Sequence, residues 1–69
     1  MINAIDLYID AGRKAGQAMN ENDSNRARFH ADWTRRALEL EPLPYRARAR
    51  EAYDAAYRNI RLSFIGSRR

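Results

Sequence analysis

Asn20-Glu21-Asn22-Asp23-Ser24-Asn25 is an uninterrupted polar run in a chain of 69 residues. Whether a helix passes through it or stops there decides the fold. Apolar or small residues recur in steps of three and four on both sides, at Ile5, Tyr8, Gly12, Ala15 and Met19 before it and at Phe29, Trp33, Ala37 and Leu40 after it. Fourteen residues separate Ala15 from Phe29 and Met19 from Trp33, two heptads in each case, so the stripe keeps its phase across the gap. Phase favours an unbroken helix. Propensity opposes it, because Asn20, Asn22 and Asn25 are poor helix formers and Asp23 or Ser24 would cap a fresh helix near residue 25. The preserved register carries the reading, which is a first helix over about 2–40.

Glu41-Pro42-Leu43-Pro44 ends that helix, since proline removes a backbone donor and pushes the residue before it out of the α region. Pro44 suits the first turn of a second helix, predicted from about 44 to about 64. Gly66 then stands where a left-handed cap would fall, leaving 66–69 as a short basic tail. Along the second helix Tyr45, Ala49, Ala52, Ala56 and Ile60 make a seam of mostly small side chains. Gly12, Ala15 and Gly16 offer a matching close approach near the N-terminus. The expectation is an all-α antiparallel helical hairpin in a single domain, 1–69. Its core or dimer residues are Ile5, Tyr8, Ala15, Met19, Phe29, Trp33, Leu40, Ala49, Ala52, Ala56 and Ile60. One hairpin is a single layer, so a homodimer forming a four-helix arrangement would complete the burial. The alternative is three short helices in a tetratricopeptide-like arrangement, for which Ala37-Leu38-Glu39-Leu40-Glu41-Pro42 is a partial match.

Composition excludes several functions. A chain this short buries only about 60% of its unfolded surface, which leaves little room for a catalytic cleft. With no Cys and a single His, His30, there is no disulfide framework, no thiol nucleophile and no metal-ligand cluster. Gly12-Arg13-Lys14-Ala15-Gly16 lacks the Gly-Lys-Ser/Thr of a phosphate loop, and Asp6 and Asp10 read as solvated acids at a helix start. No enzyme, cofactor or metal is expected. Asp6 and Asp10 also interrupt the apolar start, so neither a secretory signal nor a membrane span is read there.

The formal charge of +4 is divided unevenly. Residues 1–25 carry Arg13 and Lys14 against Asp6, Asp10, Glu21 and Asp23, a net of −2. Residues 26–69 carry eleven Arg against Asp32, Glu39, Glu41, Glu51 and Asp54, a net of +6. On the second helix Arg46, Arg50, Tyr53, Tyr57 and Arg61 form a stripe beside the Ala seam, and Tyr and Arg are the residues that most often anchor protein interfaces. They are the candidate partner-binding residues. Against this stands a plainer reading, in which the tyrosines widen the core and the arginines pair with Glu51 and Asp54, Asp54 to Arg58 having favourable spacing. Arg46-Ala47-Arg48-Ala49-Arg50 looks like a nucleic-acid patch only when read linearly, because Arg48 points away from Arg46 and Arg50 on a helix. Direct nucleic-acid binding is therefore not the expectation.

With the helix-proline-helix layout go the segments Phe29-His30-Ala31-Asp32-Trp33-Thr34-Arg35-Arg36-Ala37-Leu38 and Ala52-Tyr53-Asp54-Ala55-Ala56-Tyr57-Arg58. In these features and in size the chain resembles the small phage-encoded quorum-sensing anti-activators over essentially its full length. That resemblance implies a helical homodimer in the host bacterial cytoplasm that binds the DNA-binding domain of a LuxR-type transcription activator and blocks its attachment to promoters. It further implies inhibition of the type IV pilus assembly ATPase. A DNA-binding domain is basic where it meets DNA, so a basic face here would have to meet acidic or apolar parts of it, or else Asp6 and Asp10 would meet its cations. The competing class is a basic helical nucleic-acid-binding or structural phage protein.

Overall fold

Asn22 adopts the left-handed region at φ 58°, and the first helix ends there. The computed structural model describes residues 4–67, which form three helices: α1 (Ala4–Asn20), α2 (Ser24–Glu39) and α3 (Leu43–Ser67). The expected continuous helix over about 2–40 is thus corrected to two helices. Local hydrogen bonds override the phase of the stripe. Asp23 N–H donates to the Ala18 carbonyl at 2.8 Å and Asn22 N–H to that of Met19 at 3.1 Å, the paired closure of a helix whose next residue is left-handed. Asp23 at once becomes the N-cap of α2, its Oδ1 accepting from Arg26 N–H at 3.1 Å. Arg26 also reaches back to Glu21 at 2.7 Å, bracing the turn across its own cap. Two polar residues therefore end one helix and start the next, with no room for a longer loop.

The second turn follows the proline punctuation. Arg46 N–H donates to the Pro42 carbonyl at 2.8 Å, which starts α3, and Pro44 sits in its first turn. At the far end a correction is needed, because Gly66 has no positive φ and α3 runs through it to Ser67. Gly66 is not a cap, and of the expected 66–69 tail only Arg68 and Arg69 lie outside the described residues.

α1 packs far more extensively on α3 than on α2, and α2 hardly touches α3. Gly12 and Gly16 explain why α1 and α3 come so close. A Cβ at Gly12 would overlap the Tyr53 carbonyl and stand 3.0 Å from the Ala56 Cβ; one at Gly16 would stand 3.0 Å from Ile60. Those matches, with Tyr8 beside Ala49, make α1 and α3 parallel neighbours, with α2 running back antiparallel along α1. The core is correspondingly built of small residues: Ala11, Ala15, Ala18, Ala49 and Ala56 are buried, and the larger Tyr8 and Leu38 meet Ala49, one residue from each helix. Tyr8 donates a long 3.4 Å hydrogen bond to Glu41, and burial first, then Glu41, raises its hydroxyl above the ordinary value. The one buried polar side chain among the described residues, Thr34, is satisfied by donating to the His30 carbonyl at 2.8 Å.

Of the expected core, Tyr8, Ala15, Ala49 and Ala56 are buried, and Ile5, Ala52 and Ile60 are half-buried. Met19, Phe29, Trp33 and Leu40 are not core residues of the single chain; Phe29 is 66% exposed and Leu40 87%. The break at Asn22 folds α2 back along α1, so Trp33 lies across Tyr8 with ring centroids 5.9 Å apart and stays 41% exposed.

Gly12→Ala should lower the unfolding free energy by about 1–3 kcal/mol, because overpacking against α3 outweighs the gain in helix propensity. Gly66→Ala has nothing within 4 Å of the added carbon and should be neutral or stabilising, by at most about 1 kcal/mol. Urea midpoints of the two variants that moved in the same direction would contradict the packing.

Candidate functional site

Because α2 and α3 both lean on α1 and touch each other only sparsely, a groove runs between them. Its deeper half is a hollow of about 390 Å³ between Ala31, Thr34, Arg35 and Leu38 of α2 and Arg46, Arg50 and Tyr53 of α3. The other half, about 440 Å³, has Ala15 and Met19 of α1 as its floor, Ala27 and Arg28 on one wall and Tyr53 and Tyr57 on the other. Ala31, Tyr53 and Asp54 line both halves, so the two form one channel. It is apolar along its floor and cationic along its rims.

Four of the five stripe residues thus come together, and they do different things. Arg46 is a clamp: its Nη2 donates to the carbonyls of Glu39 at 3.2 Å and Glu41 at 3.1 Å, the unpaired acceptors at the end of α2. Its Nε is buried with no hydrogen-bond partner. Arg50 is exposed and lies 3.9 Å from Asp54, so Asp54 pairs back toward Arg50 and not forward with Arg58 as its spacing suggested. Tyr53 and Tyr57 stack at 6.5 Å with their planes 17° apart, both half-buried. Arg61 lies outside the groove and donates to the Asn20 side chain at 2.7 Å, while the Asn20 amide donates to the Ile60 carbonyl at 3.3 Å. That exchange ties the end of α1 to α3.

The opposite wall, with Arg28, Ala31, Arg35 and Leu38, escaped the sequence reading. A first helix drawn straight through residue 22 cannot fold α2 back along α1, and so cannot place Ala15 and Met19 of α1 as a floor beneath α2 and α3. The signal was present in Asn22-Asp23, a residue tolerant of left-handed backbone followed directly by an N-cap residue.

Other polar groups have structural partners. Lys14 pairs with Asp10 at 2.8 Å, on the solvated side of α1. His30 stacks edge-on against Phe29 at 5.3 Å, and burial, then Lys14 and Arg26, holds its imidazole below the usual value. Among the described residues no three His, Asp or Glu side chains gather as metal ligands, and no helix is long and apolar enough to cross a membrane. Compared with protein-family models, with curated proteins and with solved structures, the chain matches none.

Burial, then Tyr57 and Asp54, raises the Tyr53 hydroxyl above its ordinary value of 10.0. A raised folded-state value means stability that is complete below the unfolded value and is lost as pH climbs through the folded one. The melting temperature should therefore fall above about pH 10, and less steeply in Tyr53→Phe. An equally steep fall in that variant would show that Tyr53 ionises as freely in the folded chain as in the unfolded one.

Proposed function

We propose that this chain is a small phage protein that binds and inhibits host proteins, acting through the groove between α2 and α3. The observation that carries the reading is the stacked Tyr53–Tyr57 pair, half-buried on the wall of an open channel with Arg50 exposed at the rim. Large amphipathic side chains held in place by packing lose little entropy when a partner covers them, which is what makes tyrosine and arginine effective anchors. The resemblance to phage quorum-sensing anti-activators supplies the targets: the DNA-binding domain of a LuxR-type activator and the type IV pilus assembly ATPase, both met in the host cytoplasm. Binding at that domain would exclude promoter DNA by occupying or distorting its surface.

The same proposal includes a homodimer. Leu7, Phe29, Trp33, Leu40, Leu43, Leu62 and Ile65 are large apolar side chains left exposed by the single chain. A pairing of two copies that covered several of them would make the four-helix type of cross-section that one chain lacks. Light scattering should give twice the chain mass at micromolar concentration; a folded monomer throughout that range would remove the dimer from the proposal.

Affinity purification of the tagged protein from nuclease-treated host lysate, followed by mass spectrometry, tests the inhibitor reading. A transcription activator or pilus ATPase should be retained in near-stoichiometric amount at moderate salt, and Tyr57→Ala, folded by circular dichroism, should lose it. Retention only when nucleic acid is present, with a steep fall as salt rises, would instead mark the basic half as a phosphate-binding surface.

A further inference from the structure

The folded chain exposes 5371 Å², whereas a folded monomer of 8.1 kDa typically exposes about 4,500 Å². The surplus of roughly 900 Å² is close to one partner's share, about 800 Å², of a standard protein interface. Part of it lies on a single apolar face. Phe29, Trp33 and Leu40 recur on α2 at i, i+4 and i+11, on the side of the helix away from Ala31 and Arg35 of the groove. Leu7 extends that stripe onto α1. It precedes Tyr8, whose ring meets Trp33, and it shares a helix side with Asp10 and Lys14, whose charges reach His30 of α2.

Charge bears on what covers this face. A surface that pairs with its own copy about a two-fold axis must avoid setting like charge against like. Among the described residues α1 balances Asp6 and Asp10 with Arg13 and Lys14. Beside the face, Lys14 is answered by Asp10 at 2.8 Å and Arg26 by Glu21 at 2.7 Å, both within one chain. Arg36, exposed at the edge of the stripe, is the cation left over. α3 is different: it sets five arginines against Glu51 and Asp54. A partner recruited by its acidity would go to α3, whereas the α1–α2 face is where two chains of charge +4 can meet with least repulsion.

We infer that two copies pair through the α1–α2 face, with Leu7, Phe29, Trp33 and Leu40 of each covered by the other about a two-fold axis. The inference deepens the homodimer of the inhibitor reading and rests on it, naming which of the exposed side chains the second copy covers. Leu62 and Ile65, at the end of α3, stay outside the contact. Both α2–α3 grooves of the dimer stay open, because they lie on the other side of α2.

Trp33 is the single tryptophan of the chain, so its fluorescence reads this face directly. The full-length protein, diluted from the dimeric into the monomeric range set by light scattering, should shift its emission to longer wavelength and become more open to acrylamide quenching. Phe29→Glu and Leu40→Glu, at positions exposed in the single chain, should weaken pairing roughly tenfold or more, while Leu62→Glu leaves it unchanged. Melting curves confirm that the variants fold, and the fluorescence of the unaltered protein decides the matter without them. A dimer whose Trp33 signal is the same at every concentration, or one that survives Phe29→Glu and Leu40→Glu, overturns the inference and leaves the homodimer standing. Dissociation by Leu62→Glu does the same, by moving the contact to α3. A chain that is monomeric throughout removes homodimer and face together. If such a monomer retains a host protein that Phe29→Glu loses, the occupant is that protein and not a second copy.

Discussion

Everything in this small protein hangs on how closely α1 approaches α3. Gly12 and Gly16 put bare backbone where Tyr53, Ala56 and Ile60 need to be, and the two helices meet over small side chains along most of their shared length. At such separation many weak dispersion contacts, and Cα–H groups facing carbonyls, replace the large interdigitating side chains of an ordinary bundle. The pair leaves α2 only one flank of α1 to lie on. The channel between α2 and α3 is therefore the geometric residue of a tight contact elsewhere, and not a gap left by poor packing.

Much of this was legible in residue order. Pro42 and Pro44 marked the second turn, the seam through Ala49 and Ala56 marked the buried side of α3, and Gly12 and Gly16 marked a close approach. The first turn was misread for a definite reason. Fourteen-residue spacing keeps phase whether the backbone continues or reverses, so periodicity carried no information at the one place where it was asked to decide. The information sat in two side chains, Asn22 tolerating φ 58° and Asp23 accepting from Arg26 N–H. Once that reversal is in place, Phe29 and Leu40 fall outside the core, and the far wall of the groove appears beside Tyr53 and Tyr57. Gly66 was misread for a simpler reason: glycine permits a left-handed cap without imposing one.

The basic second half is less available than its net charge suggests. Arg46 holds the end of α2, Arg61 holds the end of α1, and Arg26 braces the first turn. These guanidiniums act as multi-pronged donors that hold helix ends and loop carboxylates in place. The exposed arginines that remain are spread over α2 and α3, among them Arg28, Arg35, Arg48, Arg50 and Arg58, with Arg35 and Arg50 each beside a carboxylate.

A core of alanine and glycine has a further consequence. Tyr8 and Leu38 are the only large side chains among the buried residues described, so folding removes little apolar area from water for a chain of this length. Such a domain has a modest reserve of stability, and any partner that binds only the folded form adds a large fraction to it. Among proteases, a partner that bound only the folded form would therefore lengthen the lifetime of the chain, since the free chain would open more often.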